Sequence, residues 1–174
     1  LVSPNIFFQQ VLNGQNLQQA IQHFQTAYNA LSSANKSKAN AILQVFGVNI
    51  ADGLSTAEQT LLVDKGILFD GTVQRNYTTT FNLYMGIFDF KTAYDQKSAS
   101  DRTKISQTLL ILGIILSDNT INESDITAFA NEGVILDASN APRNVAVTLT
   151  LYTEVQNFKS AYDTFVLASP LDKT

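Results

Sequence analysis

No cysteine occurs anywhere in the 174-residue chain. Disulfides, thiolate nucleophiles and cysteine-ligated metals are therefore excluded, while the redox compartment stays undecided. Histidine and methionine occur once each, as His23 and Met85. A lone histidine beside Phe24, whose counterparts in the repeat described below are Asp89 and Asn157, reads as part of a solvated helix face and cannot supply a catalytic triad. Charge is sparse: acidic and basic residues make up 15% of the chain, against an average nearer ~25%. The net charge is −4, and no basic run is interleaved with aromatics, so neither nucleic acid nor an anionic membrane surface is an expected partner. The longest apolar run, Leu109 to Leu116, covers eight residues, far short of the roughly 20 needed to span a bilayer. There is no Gly-rich phosphate loop, no nucleophile elbow and no pair of catalytic carboxylates. Asp118, Glu123 and Asp125 form the densest acidic cluster. Counted from Asp118, however, the sixth and twelfth places hold Glu123 and Phe129 instead of the glycine and glutamate of a calcium loop. No cofactor, no metal and no enzymatic activity are expected.

Apolar residues, by contrast, are abundant at 45%. A chain this long buries roughly 70% of its unfolded surface in one domain, so the expectation is a single domain over residues 1–174. The apolar residues are also ordered. Leu83, Ile87, Phe90 and Tyr94 return as Leu151, Val155, Phe158 and Tyr162, and a fainter copy ends in Phe24 and Tyr28. Steps of four, three and four residues form one stripe of an α-helix. Tyr28, Tyr94 and Tyr162 are spaced 66 and 68 residues apart, which predicts an all-α bundle of two tandem repeats of about 67 residues plus a partial third. A second pattern accompanies it: Ser3 and Gly14, Ser55 and Gly66, and Asn122 and Gly133 pair a helix N-cap with a left-handed C-terminal glycine.

Eight helices follow, in short–long–middle order: 4–13, 16–33 and 36–51, then 56–65, 73–97 and 101–117, and finally 123–132 and 141–168. Pro4 suits a first helical position, Pro142 a start near Asn140, and Pro170 an end. Ser55-Thr56-Ala57-Glu58 reads as a capping box. Gly47 and Gly113 are placed inside the middle helices, where close packing would compensate about 1 kcal/mol each. The stretch 108–116, apolar all round, is placed at the bundle centre. Val145 to Leu151, though rich in β-branched residues, copies part of a long helix and is read as helix.

Two functions fit this inventory. One is a secreted carrier or sequestering protein for a fatty acid or other lipid, held between helices by Phe24, Tyr28, Phe46, Phe90, Tyr94, Leu112, Phe158 and Tyr162. Arg75 and Arg143 are its candidate carboxylate binders, with helix-end anchoring as their simpler role. The other is a surface, matrix, coat or adhesion module that assembles through its repeats. In that reading the unfinished third copy leaves a seam for another chain. The neutral polar surface and the sequons at Asn35, Asn76 and Asn122 favour an extracellular setting. The chain opens Leu1-Val2-Ser3, which is expected where a leader has been removed or a chain trimmed.

Overall fold

A computed structural model describes residues 4–116 and 119–168, with side chains from residue 14 onward. Ser3, Asp118 and Pro170 lie outside the described residues. Those residues are mostly helical, as expected, with seven α-helices and one two-stranded sheet among them.

The helix boundaries depart from expectation where glycine was assigned the wrong role. Helix α1 runs unbroken over Pro4–Asn29, so the expected break at Gly14 is absent. Gly14 does not adopt a positive φ, and a helix can carry an exposed glycine at about 1 kcal/mol. Gly47 and Gly113 err in the opposite direction. Helix α2, Ser33–Leu43, passes through a 3-10 turn at Gln44–Phe46 and stops at Gly47, whose φ is 80°. A further 3-10 turn spans Ile50–Asp52. Both glycines therefore terminate a helix in the left-handed region that glycine occupies at least cost, because φ is 77° at Gly113 as well.

Helix α3, Thr56–Asp64, begins with the expected capping box, in which Ser55 Oγ accepts from the Glu58 amide and the Glu58 carboxylate accepts from the Ser55 amide. Gly66 follows with φ 64°. The next segment was expected to be helical from 73. It forms instead a two-residue hairpin, β1 Phe69–Asp70 against β2 Val73–Gln74. The two turn residues are Gly71-Thr72, between the paired Asp70 and Val73; a hairpin turn with glycine at its first central position needs positive φ there, and Gly71 sits at φ 60°. Helix α4 then covers Tyr77–Asp95.

Two compact units divide between Met85 and Gly86, so α4 serves both. In the first unit Phe24 is fully buried and its ring lies 5.3 Å from Tyr77 and 4.9 Å from Phe81. Ala39, Ile42 and Leu43 of α2 and Leu62 of α3 complete that core. In the second unit the later half of α4 buries Ile87, Phe90 and Tyr94. Around them stand α5 (Ala99–Ile111), α6 (Glu123–Asn131) and α7 (Val145–Ala168). Phe90 meets Phe129 edge to face at 5.3 Å, and α5 packs against α7. Gly86 of α4 passes so close to Ile135 that a β-carbon there would collide with it.

The stretch 108–116 does not form the centre of a bundle. Helix α5 ends at Ile111, and Leu110, Ile111 and Ile115 are exposed while Leu109, Ile114 and Leu116 are buried. Once the helix stops at Gly113, the extended residues after it alternate in and out. Pro142 does not start a helix either: it pairs with Leu136 in an isolated bridge, Asn140 is left-handed at φ 63°, and α7 begins at Val145. The helical reading of Val145 to Leu151 agrees with the structure.

Candidate functional site

Among the described residues no group of three or more histidine or carboxylate side chains is placed to hold a metal. His23 is exposed, with Nδ1 3.1 Å from Gln74 Oε1. Asp125 is fully buried in a structural role. Its Oδ1 accepts from the Ile115 amide at 2.8 Å and its Oδ2 from the Asn122 amide at 3.0 Å, closing a second capping box at the start of α6. Glu58 does the equivalent in the first unit by also accepting from the Asn49 amide at 2.8 Å.

Arg75 and Arg143 do anchor helix ends. Arg75 Nε donates to the Gly66 carbonyl and Arg143 Nε to the Gly133 carbonyl, both at 2.7 Å. These carbonyls sit at the C-termini of α3 and α6, where a cation meets the negative end of the helix dipole.

The eight aromatic and aliphatic lining candidates do not converge on one site. Phe24, Tyr28 and Phe46 are buried in the first unit and Phe90 and Tyr94 in the second, where they touch other rings or polar groups. Tyr28 lies under Lys36 Nζ, 5.7 Å from the ring centroid. Tyr94 Oη is 2.5 Å from Ser106 Oγ on α5. Leu112 is half-buried.

Phe158 and Tyr162 are exposed, at 74% and 58%, correcting the expectation that their stripe faces inward. The physical reason lies in what surrounds each helix. The stripe of α4 is covered in the second unit by α5, α6 and Tyr152 of α7, whereas α7 itself is buried only at Thr148, Leu149 and Gln156, with Gln156 bonded to Thr108 of α5. Every residue from Phe158 to Ala168 is exposed. The contact with α5 is partly polar, a feature that sequence reading missed: Gln156 Nε2 donates to Thr108 Oγ1 at 3.0 Å, and Thr108 Oγ1 donates to the Tyr152 carbonyl at 3.0 Å.

Two surface features remain. An open cleft of about 560 Å³ runs along α5, lined by the polar Arg102, Ser106 and Gln107 and the apolar Leu110, Ile114 and Ile115. Arg102 also donates to the Asp95 carbonyl at 3.3 Å. Of the sequence-derived lining candidates Tyr94 borders this cleft, and Leu110, Ile114 and Ile115 come from the apolar run 108–116, whereas Arg102, Ser106 and Gln107 carried no sequence signal. The second feature is the α7 face, on which Leu151, Val155, Phe158, Tyr162 and Phe165 are exposed.

Two of the sequon asparagines, Asn76 and Asn122, are exposed helix N-caps, their Oδ1 atoms accepting from the Thr79 and Asp125 amides. Asn35 is half-buried in the first turn of α2. Among the described residues, no helix is long and apolar enough to cross a membrane. No protein family, curated protein or solved structure matches the chain.

Proposed function

We propose that the protein is a non-enzymatic helical interaction module, built from duplicated units, that assembles through the exposed apolar face of α7. One observation carries this reading: Phe158 and Tyr162, in register with the Phe90 and Tyr94 that α4 buries, stand in solvent at 74% and 58% exposure, and Phe165 one turn on is exposed at 67%. Isolated exposed apolar residues need no explanation, but an aligned row of large ones marks an interaction surface. Duplication is supported by matched local devices, including Arg75 with Arg143, Gly66 with Gly133, Gly47 with Gly113, and the capping boxes at Ser55 and Asn122. Unit-built proteins need capped ends, and an uncapped one recruits a neighbour. An extracellular setting remains part of the proposal, supported by exposed sequons at Asn76 and Asn122.

Sedimentation velocity over a wide concentration range tests the reading. The intact chain should associate, and Phe158→Ser with Phe165→Ser should return it to monomer without loss of helicity. A chain that stays monomeric at every concentration overturns it.

A lipid carrier is the second reading, favoured by the α5 cleft, where Arg102 adjoins an apolar wall. A fatty-acid carboxylate at Arg102 with its tail along Leu110 and Ile115 fits that arrangement. Titration with a fluorescent fatty acid, weakened by Arg102→Ala, is the expected result; equal binding by the variant rejects the site.

A further inference from the structure

We infer that the partner of the α7 face is a second copy of the same helix, laid alongside it in parallel and in register. This rests on the interaction-module reading and adds the occupant and its orientation. The exposed positions Leu151, Val155, Phe158, Tyr162 and Phe165 advance by four, three, four and three residues. A mean step of 3.5 keeps one seam facing a partner helix along its length and is the spacing of a two-stranded coiled coil. The four steps span two heptads, and on a helix rising 1.5 Å per residue they give a seam of about 20 Å.

Space permits the pairing. At 100° per residue, Leu149 and Gln156, which face α5, lie well over a quarter turn from the seam; Thr148, in line with Val155 and Tyr162, is buried, so the open seam begins at Leu151. Beside Leu151 the surface continues as a shallow apolar hollow lined by Ala146, Val147 and Thr150, which extends the contact.

Charge selects the orientation. With Leu151, Phe158 and Phe165 at one set of core positions and Val155 and Tyr162 at the other, Glu154 and Lys159 flank the seam on opposite sides. In a parallel pair the residue at the Glu154 position faces the one five places later on its partner. Glu154 of each copy then meets Lys159 of the other, giving two equivalent ion pairs. In an antiparallel pair the Glu154 side of one helix faces the Glu154 side of the other and the Lys159 side faces the Lys159 side, so Glu154 no longer meets Lys159. Both side chains are exposed, and Lys159 holds Asp163 at 2.6 Å in an exposed pair of the same helix. Such a surface pair is weak, so the ammonium can serve both carboxylates.

Because the chain contains no cysteine, single cysteines report the geometry directly. Leu151→Cys and Phe165→Cys mark the two ends of the seam. Under mild oxidation each variant alone should form a disulfide dimer, and a mixture should yield no 151–165 cross-link. Cross-linking only in the mixture shows an antiparallel pair, which overturns this inference and leaves the interaction-module reading intact. A wild-type chain that remains monomeric in sedimentation overturns both. Association of the intact chain with no cross-link in any arm places the contact elsewhere and rejects both the α7 face and this geometry. As a second measurement, Glu154→Lys and Lys159→Glu should each weaken self-association by about tenfold, and mixing the two should restore it. An unchanged dissociation constant for both variants rejects the flanking ion pairs.

Discussion

Phe90 and Phe158 occupy equivalent places in the stripe and have opposite fates, which makes the pair a direct measure of what environment contributes. Phe90 is fully buried against Phe129 and Tyr152, while Phe158 is 74% exposed. Phe90→Ala should cost about 3–5 kcal/mol, from lost burial plus the cavity left behind. Phe158→Ala should stay within about 0.5 kcal/mol when measured on dilute monomer. Equal losses in denaturant titrations of the two variants would contradict the burial pattern. The identity of the apolar stripe was legible from residue types and spacing. Which of its copies is covered was not, because a helix face becomes core only when a neighbour lies on it. The roles of Arg75 and Arg143 were legible only as alternatives. Their contact with the Gly66 and Gly133 carbonyls depends on how the hairpin and bridge fold each arginine back over the helix end.

Among the helices, glycine punctuation carried most of the signal and most of the error. Gly66 and Gly133 end short helices as expected, at φ 64° and 61°. Gly14 looks the same in sequence but lies within α1, whereas Gly47 and Gly113, expected inside helices, end them. Only φ separates these cases, and φ depends on whether the next segment gains more by continuing the helix or by turning back to bury itself. Val48 and Ile114, directly after Gly47 and Gly113, are both fully buried, which accounts for the turns. Opposite responses to alanine follow. Gly14→Ala should stabilise by about 0.5–1 kcal/mol, since nothing lies within 4 Å of the added carbon and helix propensity rises. Gly113→Ala should destabilise by about 1 kcal/mol or more because of its left-handed backbone. Melting temperatures that move in the same direction for both would contradict these assignments. The hairpin at 69–74 carries its own signal in Gly71, the first of the two residues that turn the chain between Asp70 and Val73.

At the scale of the molecule, stability depends on pH through carboxylates that hold a helix cap, as Glu58 does, or a turn, as Asp137 does. Hydrogen bonds from the Ser55 hydroxyl, then from the Asn49 and Ser55 amides, hold the Glu58 carboxyl below its ordinary value. Asp137 is lowered chiefly by the Ser139 hydroxyl and by the Ala141 and Ser139 amides. A folded-state pKa below the unfolded one contributes stability that is present above the unfolded value and lost as pH falls through the folded one. Melting temperature should therefore drop as pH is lowered beneath the ordinary glutamate value of 4.5, and Glu58→Gln should flatten that decline; an identical acid profile for the variant would refute the assignment. Burial acts at the other end of the scale, pushing the Tyr77 hydroxyl up to about 12 and that of Tyr84 higher still. Both stay neutral in the fold, and the stability they contribute is lost as pH rises past 10.

The sequence by itself determined that the chain is mostly helical, where its apolar stripes and capping residues fall, and that it has no cysteine thiolate to offer, because these follow from residue type and local spacing. Only the tertiary structure decided that the stripe of α4 is core while that of α7 meets solvent. Burial is a property of neighbours brought from elsewhere in the chain, and no local pattern encodes a neighbour that is not there.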